Sequence, residues 1–251
     1  MILLVGSHHD DVLYFESKLR NKKEEILFDK FHFITGTMFS QNIGILYGGY
    51  TNYLNALLVQ HIISKNYTIL VINVGKCTAV TGEYANGDMA ICRRVYFGGV
   101  NQLGVENSSI GQIPKMPQYF ASDPYVLNLM TNSFNRISTI DNAPISTFIS
   151  LDKIVQNMEE LQDISIDGMF FGTNKNLVID HSAGGVSLAC YLHNVPFIAA
   201  KVVEHKLSQK TSIESYVKLL KRYSDLGKAV TSFIGEVSRN EVITGNEAAP
   251  E

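Results

Sequence analysis

Three ionisable residues close the segment Asn194-Val195-Pro196-Phe197-Ile198-Ala199-Ala200-Lys201-Val202-Val203-Glu204-His205. An imidazole titrates near neutral pH, so a protonated His205 beside Glu204 is chemically capable of giving up a proton. Near the other end of the chain, Ser7-His8-His9-Asp10-Asp11 follows a short apolar run. A carboxylate there can take a proton from water, or it can stabilise a helix N-terminus, and Asp11 suits either role. Lys76 follows Gly75. An ammonium cannot accept a proton unless burial lowers its pKa strongly, so Lys76 suits a carboxylate or phosphate on a ligand better than water activation.

These residues need a frame. Residues 197–203 are apolar almost throughout, as expected of a strand buried on both faces of a helix-covered sheet. Charges just past the carboxyl end of such a strand sit where α/β folds place ligand sites. Residues 2–5 and 68–74 read as two more buried strands, the second closing at Gly75. Residues 32–37 and 43–47 read as a hairpin around Ser40-Gln41-Asn42, and residues 88–95 and 145–150 as further strands. Helical spacing appears over residues 10–20, 53–64, 123–134, 151–161, 182–193 and 213–237. Met169-Phe170-Phe171 is a short apolar segment, and residues 97–117 form a long loop rich in Gly, Asn, Ser and Pro.

Alternating strands and helices imply an α/β, three-layer fold with a central mixed, twisted sheet flanked by helices. No linker divides the chain, so residues 1–237 are expected to form one domain and residues 238–251 a polar, frayed tail. Basic and acidic residues nearly balance, 21 against 24, which gives no footprint for nucleic acid or an anionic membrane. No apolar run approaches the roughly 20 residues needed to cross a bilayer, and Met1-Ile2-Leu3-Leu4-Val5 lacks the basic start of a signal peptide. Cys77, Cys92 and Cys190 are scattered, which suits buried free thiols in a reducing cytoplasm.

The order of these pieces resembles the nucleoside phosphorylase/nucleosidase superfamily, especially the branch that hydrolyses 5'-methylthioadenosine and S-adenosylhomocysteine. The resemblance rests on Gly6-Ser7, Gly48-Gly49, Ile72-Asn73-Val74-Gly75, Gly87-Asp88, Gly111-Gln112-Ile113-Pro114, Phe120-Ala121-Ser122-Asp123 and Asn194-Val195-Pro196-Phe197. It covers roughly residues 1–237. It implies a site at Ser7, Asp11, Lys76, His181, Ser182, Lys201, Glu204 and His205; Phe120, which with Phe97 and Tyr119 lies in or beside the long loop, suits either a flat heterocyclic ligand or packing. Asp11 stands where the family has its water-activating glutamate, and Lys76 where it has a serine. His181-Ser182 replaces the Met-Glu pair that holds the ribose hydroxyls, and Lys201 replaces an arginine. Glu204-His205 replaces the Ser-Asp pair whose aspartate protonates the purine. The resemblance therefore implies N-glycosidic hydrolysis or binding of a nucleoside-like molecule, with Asp11 as base and His205 as acid, but not the usual methylthioadenosine reaction. It implies no cofactor, and a homodimer.

Two alternatives stand beside it. One is a phosphorylase-fold protein that has lost catalysis and keeps a pocket or a dimer surface. The other is a zinc hydrolase, because Ser7-His8-His9-Asp10-Asp11 resembles the His-Pro-Asp-Asp-Glu start of zinc-dependent de-N-acetylases through His8 and Asp11. That pattern lacks its proline, its glutamate and a later histidine segment.

Overall fold

The computed structural model describes residues 1–162, 176–207, 209 and 213–239. The Met169-Phe170-Phe171 segment and nearly all of the expected tail lie outside them. Among the described residues ten strands form one sheet: β1 (Ile2–Val5), β2 (Arg20–Leu27), β3 (Phe31–Met38), β4 (Gln41–Tyr47), β5 (Leu70–Thr81), β6 (Met89–Phe97), β7 (Phe120–Ala121), β8 (Ile145–Ser150), β9 (Leu177–Asp180) and β10 (Phe197–Lys206). The helices are α1 (His9–Lys18), α2 (Asn52–Lys65), α3 (Pro124–Asn135), α4 (Met158–Gln162), α5 (Ala183–Leu192) and α6 (Ile213–Arg239).

The sheet is mixed. Its path runs β10-β6-β8-β9-β5-β1-β4-β3-β2, with β7 attached to β6. β10 also pairs with β5, so β10, β6, β8, β9 and β5 close on one another and the remaining strands extend as a twisted wing. Side chains alternate across it as strand geometry requires. Ile2, Leu4, Ile72, Val74, Ile198 and Ala200 pack on the side of α1, α3 and α6. Leu3, Val5, Val71, Ala199 and Val203 pack on the side of α2 and α5. This is the three-layer arrangement expected from the sequence.

Several boundaries differ, each for a physical reason. The first helix stops at Lys18, and Arg20 opens β2, which sequence reading missed. β2 reads Arg-Asn-Lys-Lys-Glu-Glu-Ile-Leu and is exposed along nearly its whole length. An edge strand needs no apolar alternation, and its charges oppose pairing with another chain. The hairpin turn is Phe39-Ser40, both at positive φ, so Gln41 and Asn42 belong to β4. β5 does not close at Gly75 but runs on to Thr81, because Gly75 takes φ +136° and lets the strand bend and continue. The ionisable residues of the last strand lie within β10, not past it. Of residues 151–161, only α4 is helical; Asp152 instead accepts the Asn52 N–H at 2.6 Å, which holds that stretch against the start of α2.

α2 and α5 touch backbone to backbone. A Cβ at Gly185 would overlap the Asn52 carbonyl oxygen. Gly185→Ala is therefore expected to lower stability by about 2–3 kcal/mol through overpacking, although alanine is the better helix former by about 1 kcal/mol. A urea midpoint at or above that of the parent chain would contradict this close approach.

A candidate active site at the strand ends

The C-terminal ends of β1, β9 and β10, with the second half of β5, enclose a cavity of about 430 Å³. Ser7, Asp11, Lys76, His181, Ser182, Lys201, Glu204 and His205 all line it. The structure brings these eight residues, expected from the sequence to lie near one another, to one cavity. Phe120 is not among them: it is buried elsewhere, edge-on to Phe97 at 5.9 Å and to Tyr191 at 5.4 Å. As half of the two-residue β7, its side chain turns into the packing beneath α5.

Asp11 is both a cap and a cavity residue. It sits in the first turn of α1, and its Oδ2 accepts the Ser7 N–H at 2.9 Å and the His8 N–H at 2.8 Å. The Tyr223 phenol, from α6, lies within electrostatic reach of the same carboxylate. Burial, and then the Asp11 charge, push the Tyr223 phenol upward, so it remains a donor. Gly75 lies against this carboxylate, where a Cβ would stand 3.1 Å from Oδ2.

Lys76 and Glu204 come together because β5 and β10 run parallel with Val202 opposite Lys76. Their side chains pair at 3.3 Å at the cavity. The β5–β10 register shifts between Val203 and His205, which is the signature of a bulge at Glu204. A bulge breaks the in-out alternation, and Glu204 and His205 both line the cavity in consequence. His205 Nε2 lies 3.5 Å from Thr78 Oγ1, and Nδ1 is buried without a hydrogen-bond partner. The nearest Glu204 oxygen is 4.0 Å from Nδ1, too far for a hydrogen bond. His205 thus brings an imidazole nitrogen with no protein partner to the cavity lining.

His181 donates Nδ1–H to the Leu151 carbonyl at 2.6 Å, which fixes the ring and leaves Nε2 as its other polar atom. Tyr50 closes one wall beside the edge of His8, their rings 4.9 Å apart. Tyr50 follows Gly48-Gly49, a glycine turn the sequence displays, but nothing in the local pattern marks the tyrosine as part of a site.

Asp180, which no motif in the sequence singles out, lies at the end of β9, fully buried. It receives hydrogen bonds from Ser150 Oγ at 2.7 Å, from the Ser182 and Ala183 N–H groups at 3.1 and 2.9 Å, and lies 3.4 Å from Lys201 Nζ. Burial alone would raise this carboxyl. The Lys201 ammonium, the Ser150 hydroxyl, the Ala183 N–H and the charge of His181 outweigh it and hold Asp180 below the ordinary carboxylate value. Lys201 is spent on the same network, giving hydrogen bonds to the Val74 carbonyl at 3.2 Å and to Ser182 Oγ at 2.9 Å. Ser182 Oγ also faces Asn73 Oδ1 and Asp180 Oδ2, each at 3.1 Å. Its hydroxyl is committed inward.

His8 and Asp11, the residues of the zinc alternative, both line the cavity, while His9 turns to Glu16 at 2.7 Å; among the described residues no three His, Cys, Asp or Glu are grouped to hold a metal ion. All three cysteines are free and buried, and burial pushes their thiols up. Among the described residues no helix is long and apolar enough to cross a membrane.

Known proteins share this architecture. The chain is 26% identical over 213 residues to the 5'-methylthioadenosine/S-adenosylhomocysteine nucleosidase of Staphylococcus haemolyticus, covering 85% of this chain and 90% of that one. The enzyme of the same name from Staphylococcus aureus is 22% identical over 239 residues, covering 94% and 100%. The nucleosidase of Neisseria meningitidis, solved with methylthio-immucillin-A, superposes with a TM-score of 0.82 at 18% identity over 94% of this chain and 98% of that one. A Borrelia burgdorferi protein described as a putative nucleosidase of this kind, bound to adenine, gives a TM-score of 0.81 at 20% identity over 93% and 99%. The phosphorylase superfamily model matches residues 2–233, from the first strand into the last helix, and with the closed mixed sheet and its rim cavity this establishes that the chain belongs to the phosphorylase superfamily.

Proposed function

We propose that the rim cavity binds a nucleoside-like molecule and hydrolyses its N-glycosidic bond. The observation that carries this reading is the meeting of Asp11, Lys76, His181, Glu204 and His205 around one enclosed volume. Asp11 takes a proton from water as the water oxygen bonds to the anomeric carbon. The bond from that carbon to the heterocycle nitrogen breaks, its electron pair stays on the nitrogen, and protonated His205 supplies the proton that neutralises the leaving base. Similar proteins solved with adenine or a nucleoside analogue support a ligand of this class.

The substrate differs from that of those relatives by the same reasoning. A sugar diol is best held by a carboxylate accepting two charge-assisted hydrogen bonds. The residue at that place is Ser182, and its hydroxyl already serves Asn73, Asp180 and Lys201. Lys201 is neutralised by Asp180, so an anionic part of the ligand would fall to Lys76 alone, in exchange for Glu204.

The second reading, binding without turnover, draws on Asp11. Its Oδ2 already accepts the Ser7 and His8 N–H groups, which leaves one oxygen to meet a water. Incubation with a panel of purine nucleosides, assayed for free base, separates the two. Release that disappears in Asp11→Asn supports hydrolysis. A ligand-induced rise in melting temperature with no release supports binding alone. Neither release nor a thermal shift across the panel would sink both.

We further propose that residues 1–237 act as one unit and that the chain pairs two-fold through the face beside the cavity mouth. Tyr53 and Leu57 on α2, Leu103 and Val105 in the 97–117 loop, and Ile154 in the cavity lining are all exposed. Light scattering that reports a monomer at micromolar concentration would contradict the pairing.

A further inference from the structure

A second cavity, of about 730 Å³, opens between β6, β8 and the start of α3, and its lining residues are distinct from those of the rim cavity. Arg93 and Arg94 both line it. Consecutive strand residues ordinarily point to opposite faces. Here the β6–β8 register shifts between Cys92 and Arg94, so Arg93 is the extra residue of a bulge and both guanidinium groups reach one side. Bulges of this kind recur where a strand must re-aim a side chain.

Among the described residues no carboxylate lines the cavity and neither arginine forms an ion pair. Arg94 stacks over Tyr119 at 4.8 Å and reaches the Tyr96 hydroxyl at 3.5 Å, which orients it and leaves most of its donors unused. The neighbouring hydroxyls are turned to backbone: Ser122 to Cys92, Ser146 to Pro144 and Thr131 to Leu127, each at 2.8 Å. The two guanidinium forks are the cationic groups among the described lining residues. Pro124, Leu127 and Ile145 supply an apolar wall beside them.

We propose that this cavity is a second binding site, for a small phosphorylated molecule whose phosphate sits between Arg93 and Arg94. A phosphate monoester carries about −1.5 to −2 charges at pH 7, which matches two guanidinium groups, whereas a monocarboxylate leaves one unmatched. The volume fits a molecule of mononucleotide size, since small-molecule sites run from about 300 to 1,000 Å³. The inference does not depend on the reaction proposed for the rim cavity.

Calorimetric titration of the full chain at constant ionic strength tests it, with adenosine 5'-monophosphate, inorganic phosphate, adenosine and acetate as probes. The monophosphate and phosphate should bind saturably and acetate should not. The Arg93→Ala/Arg94→Ala double variant should weaken monophosphate binding at least about tenfold, the loss expected when charge-assisted bonds to a phosphate are removed. Arg93→Gln alone, at an exposed side chain, should weaken it in the same direction without disturbing the fold. Undiminished binding in the arginine variants overturns the proposal. So does binding that falls in Lys76→Ala instead, because the anion then belongs to the rim cavity.

Discussion

Asp180→Asn is expected to lower the unfolding free energy by about 3–5 kcal/mol at pH 7, the cost of stranding one partner of a buried ion pair. The substitution is nearly isosteric, so packing is not the cause. It leaves the Lys201 ammonium almost fully buried, with the Val74 carbonyl and Ser182 hydroxyl but no opposite charge. Against total stabilities of about 5–15 kcal/mol, this is a large share. Replacing Lys201 as well, Asp180→Asn with Lys201→Met, should recover much of the loss, because no unpaired charge is then buried and the asparagine oxygen still accepts from Ser150, Ser182 and Ala183.

The pH dependence has a definite sign. Asp180 has a lower pKa folded than unfolded, so its contribution is present above the unfolded value of about 3.9 and is lost as pH falls through the folded value. The gap between the parent chain and Asp180→Asn should therefore be constant near neutrality and shrink below about pH 4. Urea unfolding at several pH values measures it. A gap under about 1 kcal/mol at pH 7 would place the pair among weak surface bridges and contradict the burial argument.

The second large effect concerns turnover. With a nucleoside that the chain hydrolyses, Asp11→Asn and His205→Ala should each lower the rate of base release by about 100- to 10,000-fold, the usual worth of one positioned proton transfer. Asparagine keeps an oxygen for the Ser7 and His8 N–H groups, so α1 stays capped and the loss reports chemistry. The double variant should lose much less than the product of the single losses, because acid and base act in one transition state. Rates unchanged by either substitution would move the reaction to other groups and remove the mechanism proposed above.

The parts of the site legible in the sequence were those tied to strand ends. Gly75 and the Asn194–Phe197 stretch announce where buried strands approach the rim, so Lys76, Lys201 and His205 fall near it by position. The roles did not follow. Lys201 and Lys76 carry the same charge and both follow strand residues, yet one is sealed against Asp180 and the other stands 42% exposed beside Glu204. Phe120 belongs to a motif that matches the family's pattern, but its ring packs on Tyr191 instead of facing the cavity. Nothing apolar marks β2, because an edge strand is held by backbone pairing to β3 and needs no buried face.

Apolar runs and their spacing, read from the sequence alone, determined the layered α/β class and most of the helices, because hydrophobic period is set by residues within a few positions of one another. The tertiary structure decided which charges pair and which face the cavity. Lys76 and Glu204 are 128 residues apart and meet through the β5–β10 register, and two bulges, at Glu204 and at Arg93, override the alternation that local sequence would impose. Register and bulges arise from contacts between distant segments, so no local pattern encodes them.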